Sequence, residues 1–141
     1  MIANQLLETG IEVDYVSSVS AQESRLEEIL RQAIERSTLI FVIGRVISGE
    51  YDITKKLLPR VLKKRLVLNY RILDKIKAEF QKRGELMPRT AEKQALGPTD
   101  AEILENEKGS VPGFLFSYEQ SHVVLLPGNP QEIDSMVKQH I

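Results

Sequence analysis

Residues 38–54, TLIFVIGRVISGEYDIT, decide the fold. Leu39 to Ile43 is an unbroken apolar run rich in β-branched residues, the mark of a strand covered on both faces in a parallel sheet. Gly44 ends it, a glycine-containing loop follows, and Asp52-Ile53-Thr54 opens a helical pattern. Strand, glycine loop and helix N-terminus in that order form the place where α/β proteins hold phosphates, because loop amides and the helix dipole both favour an anion. Arg45, Val46, Ile47 and Tyr51 are bulky for such a cradle, so the site is outlined but altered in detail.

Outward from this stretch, helix and strand patterns alternate. Residues 2–9 read as the tail of a helix stopping at Gly10, and Ile11, Val13, Tyr15 and Val19 suggest a strand by their period of two. Leu26, Ile29, Leu30, Ala33 and Ile34 lie on one helical face, with Ser20 and Glu23 spaced as a capping box. Beyond Asp52, Leu57, Leu58, Val61 and Leu62 continue a helix that Pro59 is expected to kink or split. A short run, Leu66 to Leu68, leads to an amphipathic helix carrying Ile72, Leu73, Ile76 and Phe80, and Ala91 to Leu96 suggests one more short helix. Strand candidates follow at 103–106, 113–118 and 122–126, then Pro127-Gly128-Asn129-Pro130 and a last helix through Ile133, Met136 and Val137. This order predicts one α/β domain over residues 1–141, three-layered (α/β/α), with a mostly parallel sheet.

The bulk numbers narrow the function classes. A length of 141 residues suits one domain able to bury a core, and a net charge of −1 gives no global field for nucleic acid or membrane. Without cysteine there is no disulfide, thiolate zinc site or cysteine nucleophile, and the two histidines are far apart in sequence. No segment reaches the roughly 18 apolar residues of a membrane helix. A cytoplasmic setting with no membrane partner is expected.

Several segments together resemble the molybdopterin-binding-like domain shared by the MoaB/Mog proteins and the N-terminal part of the competence/damage-inducible protein CinA. They are GIEVDYVSSV with ESRLEEIL, TLIFVIG with YDIT, FQKRGELMPRTAEKQAL, GSVPGF and VVLLPGNPQEIDSMV. The RG-x-x-MP, KQAL, PGF and LLPG-x-P pieces point to the CinA branch. The resemblance implies a site at the ends of parallel strands for a phosphorylated ligand, either a pterin phosphate with nucleotide or a dinucleotide such as ADP-ribose, assisted by magnesium if the site is active. It also implies self-association into homo-oligomers through surfaces away from the site. The family's first strand lies upstream of the helix in which Met1 falls, and without it neighbouring backbone groups of the sheet would stand unpaired.

In the family the loop after the buried strand reads GGLGPT, then a short acidic stretch and D-x-T. Here Gly44 keeps the first glycine, Arg45, Ile47, Ser48 and Gly49 replace the second glycine, third glycine, proline and threonine, and Asp52 and Thr54 match D-x-T. A second family carboxylate falls at Val19-Ser20-Ala21, where this chain has no acid. The resemblance therefore assigns ligand contacts to Gly44, Arg45, Gly49, Thr54, Gly109, Ser110, Pro127 and Gly128, with Asp52 as the catalytic and metal-binding candidate.

Each assignment has a plainer alternative. Asp52 could position magnesium or water, but Asp is also a favoured N-cap, and with its family partner acid replaced the capping role ranks first. Arg45 could substitute a cation for lost amide contacts or point to solvent. Gly109-Ser110 and Pro127-Gly128 could face a phosphate or simply form turns. The cluster Lys55, Lys56, Arg60, Lys63, Lys64 and Arg65 could attract nucleic acid, though without interleaved aromatics a solvated helix face is the expectation. The reading is thus a degenerate CinA-type domain that binds a nucleotide or pterin phosphate or acts in assembly. The alternative is an active magnesium-dependent ADP-ribose pyrophosphatase or molybdenum-cofactor nucleotidyl transferase.

Overall fold

A computed structural model describes residues 2–20, 22–46 and 49–141. Met1, Ala21, Ile47 and Ser48 lie outside the described residues, and with them the expectations placed on Ala21, Ile47, Ser48 and the chain start. The elements run α1 (Ile2–Glu8), α2 (Glu23–Arg36), β1 (Leu39–Gly44), α3 (Glu50–Val61), β2 (Leu66–Leu68), α4 (Tyr70–Lys82) and α5 (Arg89–Glu92). A 3₁₀ turn (Lys93–Ala95) then leads to β3 (Leu96–Pro98), β4 (Glu102–Leu104), β5 (Gly113–Tyr118), β6 (Ser121–Pro127) and α6 (Pro130–His140).

The main sheet has the order β1-β6-β5-β4, and β2 pairs with β3 apart from it. Its two faces carry separate cores. Ile40, Phe114, Phe116, Val123 and Leu125 join buried residues of α2, α3 and α4, including Leu26, Leu30, Tyr51, Leu58 and Ile76. On the other face Leu104, Val124 and Leu126 pack with Met136 and Val137 of α6, and Ile2 of α1 adds to the edge of that cluster. Alternating side chains along each strand make this division, so the three-layer α/β/α arrangement follows from the strand period.

The α/β fold is as expected, and its main sheet is mixed: among the described residues β1–β6 is parallel, while β4–β5 and β5–β6 are antiparallel. The connections explain it. Glu119 and Gln120 alone separate β5 from β6, with Glu119 at φ +53°, and so short a link can only form a hairpin. β1 and β6 are far apart in sequence, which leaves room for crossover elements.

Three local expectations are corrected. Residues 11–20 form no strand: the stretch is exposed but for half-buried Ile11, and its alternating pattern meets no neighbouring ladder. α2 begins at Glu23 with Gln22 at the N-cap and no side-chain capping bond, so Ser20 and Glu23 make no capping box. Pro59 does not split α3, which runs on to Val61 although the proline lacks the amide that would bond the Lys55 carbonyl. The helix there ends with Lys63 at φ +56° and a Lys64 N–H to Pro59 carbonyl bond of 2.6 Å.

Candidate functional site

The parallel register sets Gly44 opposite Pro127, so the loops leaving β1 and β6 emerge side by side at one end of the sheet. The Gly128 amide donates to the Gly44 carbonyl at 3.3 Å. The segment between β4 and β5 joins them from two directions. The Tyr51 hydroxyl donates to the Pro112 carbonyl at 2.7 Å, and Asn106 Nδ2 donates to Glu132 Oε1 at 2.9 Å. Three segments, 44–52, 106–112 and 127–132, are thereby tied pairwise, and nearly all the sequence-derived site residues lie on them.

At the β1–α3 junction Gly44 is required by contact. A Cβ there would stand 2.9 Å from the Tyr51 backbone nitrogen and 3.0 Å from its Cα, so the helix could not seat on the strand end. Gly49 is the N-cap of α3 at φ +80°, a left-handed conformation that favours glycine, and it makes no side-chain cap bond. Asp52 is therefore not the cap that the sequence suggested. It sits in the first turn, exposed, with no hydrogen bond among the described residues, where the helix dipole favours its negative charge.

Other residues here are committed to local contacts. Thr54 is buried, and its hydroxyl donates to the Glu50 carbonyl at 2.9 Å. The Arg45 amide donates to Glu50 Oε2 at 3.2 Å, and its guanidinium, largely exposed, meets Glu50 Oε1 at 3.4 Å. Glu50 thus places a carboxylate on a loop amide that a phosphate would otherwise seek. Tyr51 is fully buried, and burial holds its phenol well above the usual tyrosine range, with nearby Asp52 adding to the effect.

At the β6–α6 junction Asn129 accepts from the Gln131 and Glu132 amides at 3.1 and 3.0 Å, and Glu132 Oε2 accepts from the Asn129 amide at 3.0 Å. This is a complete capping box, with Pro130 in the first turn. The Glu132 carboxylate lies between the two glycine turns: a Cβ on Gly109 would land on Oε1 and one on Gly128 on Oε2. Both glycines are thus explained by close approach of this side chain. Asn106, 1% exposed, also donates to the Val111 carbonyl at 2.9 Å and accepts from the Lys108 amide, fixing the loop that carries Gly109 and Ser110.

Sequence reading missed Glu50, Asn106 and Glu132. The pattern Asn129-Pro-x-Glu132 is a legible capping signal, whereas the partners of Glu50 and Asn106 depend on loop shape. The basic cluster does not form one face. Lys55 is buried and donates from Nζ to the Lys93 carbonyl at 3.0 Å, and Arg60 pairs with Glu27 at 3.6 Å. Burial pushes the Lys55 ammonium down to about 8, with Asp52 opposing the shift. Among the described residues no three His, Asp or Glu side chains come together as a metal set, and no helix is long and apolar enough to cross a membrane.

The family model described as "Probable molybdopterin binding domain" matches residues 1–141. Curated relatives described as competence-damage inducible proteins include those of Caldicellulosiruptor saccharolyticus, 33% identical over 99% of the chain, and Halalkalibacterium halodurans, 36% identical over 99%. The Bacillus subtilis protein is 34% identical over 96%. The chain spans about a third of their length, 34%, 33% and 32% respectively. A crystal structure titled as CinA of unknown function from Thermoplasma acidophilum superposes with a TM-score of 0.84 at 23% identity, covering 98% of this chain and 81% of that one.

Proposed function

The chain belongs to the probable molybdopterin binding domain family, and from that premise we propose that it is a CinA-type binding domain with reduced or no catalysis. Its ligand is a phosphorylated nucleotide or pterin seated where the β1 and β6 loops meet. The observation that carries this reading is the pairwise tying of segments 44–52, 106–112 and 127–132 by the Gly128–Gly44, Tyr51–Pro112 and Asn106–Glu132 bonds. A site so braced needs little rearrangement to accept a ligand. Reduced chemistry follows from occupancy: Arg45 and Glu50 engage each other, Tyr51 fills the core, and Thr54 is bonded within its helix. Isothermal titration with ADP-ribose, AMP and ATP, each with magnesium, tests the ligand. Heat with at least one is the expected result, and silence with all three at millimolar concentration removes the binding role.

The exposed Asp52 carboxylate, free of a capping bond, favours a second reading as a magnesium-dependent pyrophosphatase or nucleotidyl transferase. Magnesium there would be held by that carboxylate, with water and ligand phosphate oxygens completing its shell, and would polarise the phosphates. The chain's own part would be to orient the ion from the first turn of α3. AMP release from ADP-ribose by wild type and Asp52→Asn decides between the readings. Loss of rate in the variant favours the enzyme, and equal rates or none retire it.

A further inference from the structure

The net charge of −1 conceals an uneven distribution. Residues 55–83 hold eleven of the nineteen Lys and Arg and two of the twenty Asp and Glu, leaving eight and eighteen to the rest of the chain. A stretch at +9 inside a chain at −1 makes a local field that the total hides. Burial of Lys55 and pairing of Arg60 break up the run 55–65, but its remainder continues onto β2 and α4. Lys63 and Arg65 are exposed, Lys64 is half-buried, and Lys77 is exposed on α4. Among the described residues none of these four pairs with a carboxylate. The Arg65 carbonyl accepts from the Thr99 amide at 2.8 Å and extends the β2 ladder, so Arg65 and Val67 fall on one face of it. Tyr70 and Lys77 lie two turns apart on one face of α4. Val67, Leu68 and Tyr70 are 45%, 38% and 70% exposed, so apolar and aromatic groups stand among the cations. Between Lys63 and Lys77 the sole acid is Asp74.

We propose that this surface, from Lys63 along β2 to Tyr70 and Lys77, binds single-stranded nucleic acid. The inference is independent of the ligand reading, because none of these residues lies on segments 44–52, 106–112 or 127–132. Charge complementarity selects the partner. Four cationic side chains without carboxylate partners match a backbone that repeats its phosphate at every nucleotide, and each contact releases condensed counterions. The exposed Tyr70 ring selects a single strand over a duplex, because only an unstacked base can lie on an aromatic face. The run 55–65 has no aromatic of its own, and α4 supplies one in its first residue. From Arg65 to Tyr70 the extended chain spans at most about 17 Å, so one strand of nucleic acid can meet both.

Fluorescence anisotropy of a labelled oligothymidylate, and of a duplex of equal length, titrated with the 141-residue chain across a salt series, tests this. The single strand should bind more tightly, with log affinity falling against log salt at a slope near −3, about 0.7 for each neutralised phosphate. Lys64→Gln/Arg65→Gln/Lys77→Gln should flatten that slope by about 2 with an unchanged circular dichroism spectrum. Should the triple variant fail to fold, Arg65→Gln alone reads the same effect as a change of about 0.7. Tyr70→Ala should weaken single-strand binding roughly tenfold and leave the slope as it is. Arg25→Gln, which removes an exposed cation from α2, should alter neither quantity. Absence of binding at low salt overturns the proposal. So does a duplex bound as tightly as the single strand, or a slope and affinity that these substitutions leave unchanged.

Discussion

The β6–α6 junction closes with Asn129 and Glu132 satisfying each other's backbone amides, whereas the neighbouring β1–α3 junction enters its helix through Gly49 with no side-chain cap. Both leave parallel strands at the same end of the sheet, yet they draw their order from different distances. Around β6 the cap is built within four residues and then braced by Asn106. Around β1 the cap is missing, and position comes from the tight Gly44–Tyr51 approach and from the Tyr51 hydroxyl reaching Pro112 across the fold. The lesson is that one loop is capped by its own side chains, while the other combines the local Arg45–Glu50 contacts with an anchor in the core through Tyr51. Loops of the second kind are the ones able to open to a ligand.

The most damaging change to this arrangement should be Gly44→Ala. The added methyl meets only backbone atoms of α3, so the helix must move, and a loss of about 3 kcal/mol in urea unfolding is expected. A cost near zero would mean the two elements are loosely seated. The pH dependence comes next. Between pH 8 and 10 the unfolded chain keeps the Lys55 proton that the folded chain has released, so stability should rise with pH there, by up to about 3 kcal/mol for a full shift. Lys55→Met should flatten that rise; an unchanged slope would assign it to other groups. Above about pH 10 the buried Tyr51 phenol works the other way, because only the unfolded chain ionises readily.

Tyr51→Phe should cost about 1–2 kcal/mol, since the buried Pro112 carbonyl loses its donor, and amide exchange should quicken in residues 49–53 more than in 129–133. Uniform quickening would deny the contrast between the junctions. Asn129→Ala removes a cap and should cost about 1 kcal/mol, with its effect confined to the first turn of α6. Glu50→Gln is the mildest. Its partner Arg45 is mostly solvent-exposed, so stability should change by less than about 0.5 kcal/mol. Phosphate-ligand affinity in the titration is the better readout there, and it should increase once the carboxylate charge is gone.

The same contrast marks what the sequence made legible. Leu39 to Ile43 announced its strand because a continuous β-branched run has few other uses, and the junction with α3 followed from Gly44. Ile11, Val13 and Tyr15 carried an equally clear alternation but no strand formed, since alternation specifies a face and not a neighbour. Asp52 looked like a cap because the residue type suits one, while Gly49 reached the position first through its left-handed backbone. The family pattern assigned Gly109 and Gly128 to the same ligand, and in the structure the two flank one side chain. That a single carboxylate, Glu132, occupies the space between them depends on side-chain placement that no spacing rule encodes.

Tyr51 has a practical consequence beyond architecture. The chain has no tryptophan and four tyrosines, so its near-ultraviolet signal is almost wholly phenolic. Tyr15 and Tyr70 are exposed at 56% and 70%, whereas Tyr51 is sealed beneath the uncapped junction. An alkaline absorbance titration would therefore hold Tyr51 silent until that corner of the molecule opens. The residue that braces the loop is also a built-in optical gauge of its opening, usable without any label.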